Sequence, residues 1–475
     1  MDKILKESYI YKIIMFFKNL FSKFFRESCI IQGFLKNNYN EKNTENSLMV
    51  RLLEWFLKHI RIIAHKLKLD KIFANSMFSK PLIWTTITIA LTPIIPTMMV
   101  LVLALASLLS LILMAAITPK FKFKHYKINT WIFFFTITIA VSACISISMA
   151  ESIKIAMLMI SFVIFYFVII NTITTKKQLM MILNVLIVIA TLTAVYGIYQ
   201  YVNGDVYSKA WLDGEMFEEI KMRVYSTLEN PNVYGEYLLF IIPIIAALLW
   251  TEKGWKKKLF YLVCLGITGI ALILTFSRGC YLGIIFTIFI LSIIIDKRFI
   301  FLGIALLLLS PFILPDAIIN RFMSIGNMAD SSTSYRVYIW MGTLAMLKDF
   351  WLSGVGMGIT SFNTIYPIYS YNNIVAPHSH NLYLQVIVEY GIVGFIVMAG
   401  VMYNYFKELF ISMKVKKDIV TGGLMAGMLG FLLQSMTDHT WYNYRVFMMF
   451  WVIVGISIVS SKINMQSKST YEENK

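Results

Sequence analysis

The sequence predicts an all-α polytopic membrane protein with about twelve transmembrane helices. Hydrophobic residues make up 58% of the 475 positions and charged residues 15%, where an average soluble domain carries about a quarter charged. Several runs exceed the roughly 18 apolar residues that a helix needs to cross the hydrocarbon core, and they are apolar all round, as lipid-embedded helices are. Basic residues collect in alternate connections between these runs. A closed β-barrel is excluded, because its strands would alternate over short segments.

Taken in chain order, residues 1–80 hold 15 Lys or Arg against 7 Asp or Glu. They are long, basic and mixed, unlike a cleavable signal peptide. Tyr9 to Phe25 mixes Ile and Phe with Lys12, Lys18 and Lys23, and Leu52 to Leu69 repeats the pattern with Lys58, Arg61, Lys66 and Lys68. Each stretch fits an amphipathic helix on an anionic membrane surface. The two are either a weak duplication or unrelated interfacial helices. Residues 81–314 then carry nine predicted spans: Leu82–Ile95, Thr97–Ile117, Trp131–Ser148, Ile153–Ile173, Leu179–Tyr201, Val233–Trp250, Leu259–Phe276, Cys280–Ile295 and Phe299–Leu314. Pro93 and Pro96 break the first pair into a hairpin. A long loop, residues 315–389, separates these from three further spans in residues 390–461, Tyr390–Phe406, Ile419–Met436 and Val446–Ser460, followed by the tail 462–475.

The net charge of +17 invites a nucleic-acid reading, but the distribution of the charge points to the positive-inside rule instead. Lys120 to Lys127, Lys176 and Lys177, Lys253 to Lys258, Lys297 and Arg298, and Lys407 to Lys417 all fall on one side of a twelve-span layout, with the basic N-terminus and the tail. Both termini are therefore expected in the cytoplasm, and no nucleic-acid partner is expected. The four cysteines, Cys29, Cys144, Cys264 and Cys280, have no metal-like spacing and imply neither a disulfide framework nor a zinc site.

The opposite face carries the candidate chemistry. The loop Pro315 to Glu389 is about 75 residues long, far beyond an ordinary connection, and such loops are usually functional. It holds Arg321, Arg336, Trp340, Asp349, Gly354-x-Gly356-x-Gly358, His378 and His380. The glycine run lacks the strand and βαβ context of a dinucleotide site and reads as a sharp re-entrant turn. The loop 203–232 holds Arg223 and the turn Asn230-Pro231-Asn232, and the last outer loop holds Asp438, His439 and Arg445. Arg278 sits at the outer end of a span beside Ser277 and Gly279, either at a helix break where an anion approaches backbone N–H groups or as an arginine that snorkels to the interface. Arg336 opens a helix-like stretch to Leu347. His380 precedes Asn381 and an apolar helical stretch from Leu382 to Tyr390; an imidazole at a helix start is disposed to be neutral and to accept a proton.

The spacing from His380-Asn381 through nine residues to Gly391 resembles the O-antigen ligase and Wzy-type polymerase superfamily. Three further segments agree: Arg223 to Tyr237, Thr275 to Gly283, and Arg336 to Gly358 with Trp340. Together they cover roughly Arg223 to Ser460, and residues 1–80 lie outside them. The resemblance implies a GT-C-like, metal-independent, inverting glycosyltransferase of the bacterial cytoplasmic membrane. Its donor would be a glycan on undecaprenyl diphosphate, and its acceptor a hydroxyl on a glycan, lipid or protein outside the cytoplasm.

No cofactor or metal is implied. His380 is the candidate general base, and Arg278 and Arg336 would grip the diphosphate bidentately with Arg223 assisting. Asn232, Asn381, His378, His439 and Arg445 are the expected substrate-binding residues. His378 competes with His380 for the base role, and Asp438-His439 would orient the acceptor or the base. Ligase and polymerase differ only in acceptor and are not separated by the sequence. A transporter or lipid flippase is the alternative from another class, but it would place polar groups at the bilayer midplane in broken helices.

Overall fold

A computed structural model of the chain describes residue 15, residues 48–204, residue 220 and residues 222–473. The expected surface helix Tyr9–Phe25, Met15 excepted, and Cys29 lie outside the described residues.

The described residues form helices and their connections, with no strand among them. In chain order the helices are α1 (Leu48–Lys66), α2 (Leu69–Phe73), α3 (Pro81–Leu91), α4 (Thr97–Ile117), α5 (Lys127–Ile145), α6 (Met149–Thr172), α7 (Lys176–Asn203), α8 (Pro231–Thr251) and α9 (Trp255–Leu274). They continue with α10 (Arg278–Ile295), α11 (Arg298–Ile313), α12 (Asp316–Met323), α13 (Ser331–Phe350), α14 (Ile359–Tyr369), α15 (Leu382–Val415), α16 (Ile419–Gln434) and α17 (Tyr444–Glu473). Nine of these are long and apolar enough to cross a membrane: α4 to α10, α15 and α17. Helices α3, α11 and α16 are shorter and apolar. Each of the twelve predicted spans overlaps one of these helices.

Helix α1 shows why the basic N-terminal region is amphipathic. Leu57 and Ala64 are buried, while Trp55, Phe56, Ile62 and Ile63 stay exposed among Lys and Arg, the pattern of a helix that lies in a membrane interface. Arg61 docks it: its guanidinium donates to the carbonyls of Thr118 at 3.1 Å and Phe121 at 2.7 Å, just past the C-terminus of α4, where a cation meets the negative end of the helix dipole.

The interior is built on α17, almost wholly enclosed by protein, and on α8. Helix α16 packs between α8 and α10. Small residues let these backbones approach: a Cβ on Gly430 would lie 2.7 Å from the Gly283 carbonyl, and one on Gly423 2.8 Å from that of Pro243. The packing fixes the two ends of α10. Arg278 stands at one, and at the other Lys417 donates to the Ile295 carbonyl at 3.2 Å.

The helix expected at Leu382–Tyr390 and the span expected from Tyr390 prove to be a single element, α15, bent at Gly391 (φ 67°, ψ −177°). A break among apolar helices leaves backbone groups that must be bonded inside the protein. Val355 N–H donates to the Val388 carbonyl at 2.7 Å, Ser142 Oγ–H to Glu389 at 2.5 Å, and Ile392 N–H to Trp351 at 2.8 Å. The segment that reaches in is the glycine run. Gly354 has φ 68°, and a Cβ there would lie 2.6 Å from the Val388 carbonyl. The run is thus a left-handed backbone wedge that plugs the bend and sets the direction of the helix that begins next to His380.

Candidate functional site

Four arginines line one cavity of about 330 Å³: Arg223, Arg278, Arg321 and Arg336. Each comes from a different place. Arg223 lies before the N-terminus of α8 and donates through Nε to the Thr275 carbonyl at 2.8 Å and through Nη2 to Asn232 Oδ1 at 2.7 Å. Arg278 is the first residue of α10, whose opening N–H groups have no intrahelical acceptor. Arg321 is on α12 and Arg336 on α13.

Two groups hold the like charges together. Asp330 is the N-cap of α13 and accepts from Thr333 N–H at 3.0 Å, the usual service of an aspartate there. Its buried carboxylate also takes Arg278 Nη2 at 2.8 Å and Arg321 Nη1 at 3.4 Å. Burial pushes the Asp330 carboxyl up, but the Arg278 hydrogen bond and the two guanidinium charges outweigh it and hold the group below the usual carboxylate range. Ser332 Oγ accepts from Arg278 Nη2 at 3.1 Å and from Arg336 Nη1 at 2.6 Å.

The arginines still crowd one another. Burial, then the charges of Arg321 and Arg336, depress the Arg223 guanidinium to about 9. Burial and Arg278 depress Arg321 to about 10. Both remain cationic at neutral pH. Among the described residues, Asp330 pairs with Arg278 and Arg321, and Asp438 with Arg336, and the planar guanidinium groups gathered at one cavity are suited to phosphate oxygens.

Beside this cavity stands a histidine dyad. His380 Nδ1 is 3.1 Å from Asp438 Oδ1. Asp438 Oδ1 also accepts from His439 N–H at 2.9 Å, and Oδ2 accepts from Asn232 Nδ2 at 3.1 Å with Arg336 Nη2 at 3.9 Å. Burial would raise the Asp438 carboxyl, but the His380 bond and the charges of His380, Arg336 and His378 overcome it, so it stays ionised. All its partners are donors, so His380 carries its proton on Nδ1 and leaves Nε2 free as an acceptor. The backbone of His380 has φ 47°, a conformation non-glycine residues avoid and one that concentrates at functional sites. Trp340 Nε1 pins its carbonyl at 3.2 Å, and Asn381 caps α15 by accepting from Leu384 N–H at 3.0 Å while donating to the Met436 carbonyl.

His378 and His439 are different. The His378 ring lies 4.2 Å from His380 and 5.1 Å from His439. Its Nδ1 accepts from the His380 backbone N–H at 3.2 Å. Burial, then the neighbouring histidines, depress His378 well below its ordinary value, and burial depresses His439 to about 3. Both are neutral at physiological pH. His378 and His439 line a second cavity together with Arg445, whose guanidinium is bonded to the Thr227 carbonyl at 2.9 Å and Glu229 at 3.4 Å.

Of the residues expected from the sequence, the fold therefore brings Arg223, Asn232, Arg278 and Arg336 to one cavity with His380 at its edge. It puts His378, His439 and Arg445 on another, and Asn381 at a helix cap. Sequence reasoning did not assign Arg321, Asp330 or Ser332 to the site. The only signal for Asp330 is its helix-capping position, which says nothing of arginines. His378, His380 and Asp438 form the one trio of potential metal ligands among the described residues, with ligand atoms within 4.8 Å of one another. Within the trio, His380 Nδ1 bonds to Asp438 Oδ1, and His378 Nδ1 accepts from the His380 backbone N–H.

A family model described as O-antigen ligase matches residues 262–399. No curated protein matches the chain. The matched stretch contains Arg278, Arg321, Asp330, Arg336 and His380, whereas Arg223, Asn232 and Asp438 come from outside it and complete the same cluster. The resemblance drawn from the sequence is borne out by this match: residues 262–399 are similar to the O-antigen ligase family.

Proposed function

We propose that the protein transfers a glycan from undecaprenyl diphosphate to an acceptor hydroxyl on the outer side of a bacterial cytoplasmic membrane. In this reading the twelve apolar helices all span, both termini are cytoplasmic, and the fold is GT-C-like. The observation that carries it is the adjacency of a cationic cavity and an Asp438-held His380.

The chemistry follows from the geometry. The acceptor hydroxyl attacks the anomeric carbon of the donor. The bond from that carbon to the diphosphate oxygen breaks, and the diphosphate leaves with the electron pair. His380 Nε2 takes the hydroxyl proton, and Asp438 stabilises the imidazolium so formed. A donor diphosphate diester carries two negative charges, and both these and the charge that grows on departure would be met by preorganised guanidinium groups. A single displacement inverts the anomeric centre. His380 is the base rather than His378, because His378 Nδ1 is already occupied by the His380 N–H. The arginines do the work a metal would otherwise do, and the His378–His380–Asp438 trio is spent on orienting the base.

The transporter alternative loses support at the bend of α15. Its freed carbonyls are bonded to Val355 N–H and Ser142, so they offer no ligands to an ion. Ligase and polymerase share this site and differ in acceptor alone.

The test is release of undecaprenyl diphosphate from a lipid-linked oligosaccharide by the purified protein in nanodiscs. Release is expected from the native protein and lost by about 100-fold or more in His380→Ala and Arg278→Ala. No release from the native protein with any acceptor sinks the reading, and full activity in both variants sinks the site assignment.

A further inference from the structure

The second cavity, of about 440 Å³, has a chemistry unlike the first. Its walls include Trp441, Tyr442 and Tyr444, the carboxyl groups of Glu151 and Glu389, and His439. Its one lysine or arginine among the described residues, Arg445, is bonded to Glu229. Glu151 and Glu389 have no basic partner among the ion pairs of the described residues.

Three buried polar atoms of these lining residues have no hydrogen-bond partner among the described residues: Glu151 Oε2, His439 Nδ1 and Trp441 Nε1. Unpaired buried polar groups are costly. Trp441 is 2% exposed and His439 9%, so these two are enclosed as well as unbonded. Trp441 Nε1 is a donor, Glu151 Oε2 an acceptor, and His439 Nδ1 serves as either according to its tautomer. Tyr442, 44% exposed, lays its ring 4.5 Å from His378, and gives a ring face at the rim.

Aromatic faces with interspersed carboxyl, imidazole and indole groups suit sugar rings. Carboxyl groups accept from hydroxyls and pair with ammonium groups, but they give nothing to phosphate oxygens. The base is linked to both cavities through its neighbours. His378 lines the second cavity, and the His380 ring is 4.2 Å from His378. Asp438, bonded to His380, contacts Asn232 and Arg336 in the arginine cavity.

We infer that the second cavity is the acceptor subsite and that it takes an uncharged or amine-bearing saccharide rather than a phosphate-rich chain. This rests on the glycosyl-transfer reading for the role of acceptor, while the choice of saccharide over phosphate rests on the cavity alone. Charge would then sort the two substrates: the dianionic donor goes to the arginines, and the neutral or cationic acceptor to the carboxyl-bearing side.

Binding to the full-length protein in nanodiscs tests this without turnover. Saturation-transfer NMR is run with chitosan tetramer, with its N-acetylated counterpart, and with a glycerol phosphate oligomer of equal length. Undecaprenyl diphosphate binding is measured in parallel. Both saccharides are expected to bind, and the glycerol phosphate oligomer to bind at least about 10-fold more weakly. Glu151→Gln should weaken chitosan tetramer about 10-fold and the N-acetylated tetramer less. Tyr442→Ala should weaken both, and Trp441→Phe, which keeps the packing, should weaken both by removing one donor. Undecaprenyl diphosphate should be unaffected by these three changes and lost in Arg278→Ala.

Equal or tighter binding of the phosphate oligomer overturns the inference. So does an absence of saccharide binding, or saccharide binding indifferent to Glu151 and Tyr442. If saccharides bind as expected while undecaprenyl diphosphate does not bind, the proposed reaction fails and the saccharide site stands.

Discussion

Replacing Asp438 by Asn exchanges one carboxylate oxygen for an amide and tests whether a fixed direction of hydrogen bonding holds the base. Arg223 Nη2 donates to Asn232 Oδ1, Asn232 Nδ2 donates to Asp438 Oδ2, and His380 Nδ1 and His439 N–H both donate to Asp438 Oδ1. Every neighbour of Asp438 is a donor, so an amide NH2 is misplaced on either side. Facing His380, it turns Nδ1 into an acceptor and puts the proton on Nε2, where the base must be bare. Facing Asn232 and Arg336, it opposes two donors, and Asn232 cannot flip without opposing Arg223.

The first outcome removes general-base catalysis, about 10²- to 10⁴-fold in rate. The second leaves buried donors unpaired at about 1–3 kcal/mol each. Activity of Asp438→Asn is therefore expected to fall by at least about 100-fold. The informative comparison is with the double variant Asn232→Asp with Asp438→Asn. The new carboxylate at 232 accepts from Arg223 and from the amide at 438, whose remaining oxygen again accepts from His380 Nδ1–H. The double variant should recover about 10-fold or more over the single one. Initial rates of undecaprenyl diphosphate release, with thermal melting to confirm folding, decide it. A folded double variant no better than Asp438→Asn, or a fully active single variant, refutes the directional chain.

Asp330→Ala leaves Arg278 and Arg321 buried without their shared counter-charge and should cost about 3–5 kcal/mol, read as a large drop in melting temperature; bound undecaprenyl diphosphate should restore part of it. Gly391→Ala combines a left-handed φ with overlap of the Leu352 carbonyl and should fail to give monodisperse protein, whereas Gly303→Ala, in open space on α11, should behave as native. His439 is held neutral at about 3, below an unfolded value near 6.5. Stability from it is therefore complete above about pH 6.5 and is lost as pH falls. Between pH 7 and pH 5 the loss is about 2 kcal/mol per such histidine, and His439→Gln should shrink the acid-induced fall in melting temperature. Treatment with a chelator should leave the rate unchanged, and a rate lost to chelation and restored by a divalent ion would reassign His378, His380 and Asp438 as ligands.

The features legible in the sequence are those that depend on local composition. Apolar runs long enough to cross a bilayer must be helical because no water is there to bond the backbone, so each of the twelve predicted spans met a helix. The candidates Arg223, Arg278, Arg336 and His380 were legible because charge at the end of an apolar run is rare and His380-Asn381 sits at a helix start. The basic N-terminal helix α1 was legible for the same reason, through its alternation of Lys with Ile, Leu and Trp.

Only the tertiary structure decided which of these residues meet. Arg321 and Asp330 lie on elements that nothing in the sequence ties to Arg278. They are joined because α12 and the start of α13 fold back over α10. Asp438, some 58 residues beyond His380, becomes its partner because α16 packs glycine-tight between α8 and α10 and delivers the following turn to the start of α15. The glycine run read as a turn turned out to be the plug of a helix bend, since a left-handed backbone has a purpose only against the neighbour it approaches. Composition acts along the chain, whereas pairing between distant charges depends on where packed helices end, and no window of sequence contains that.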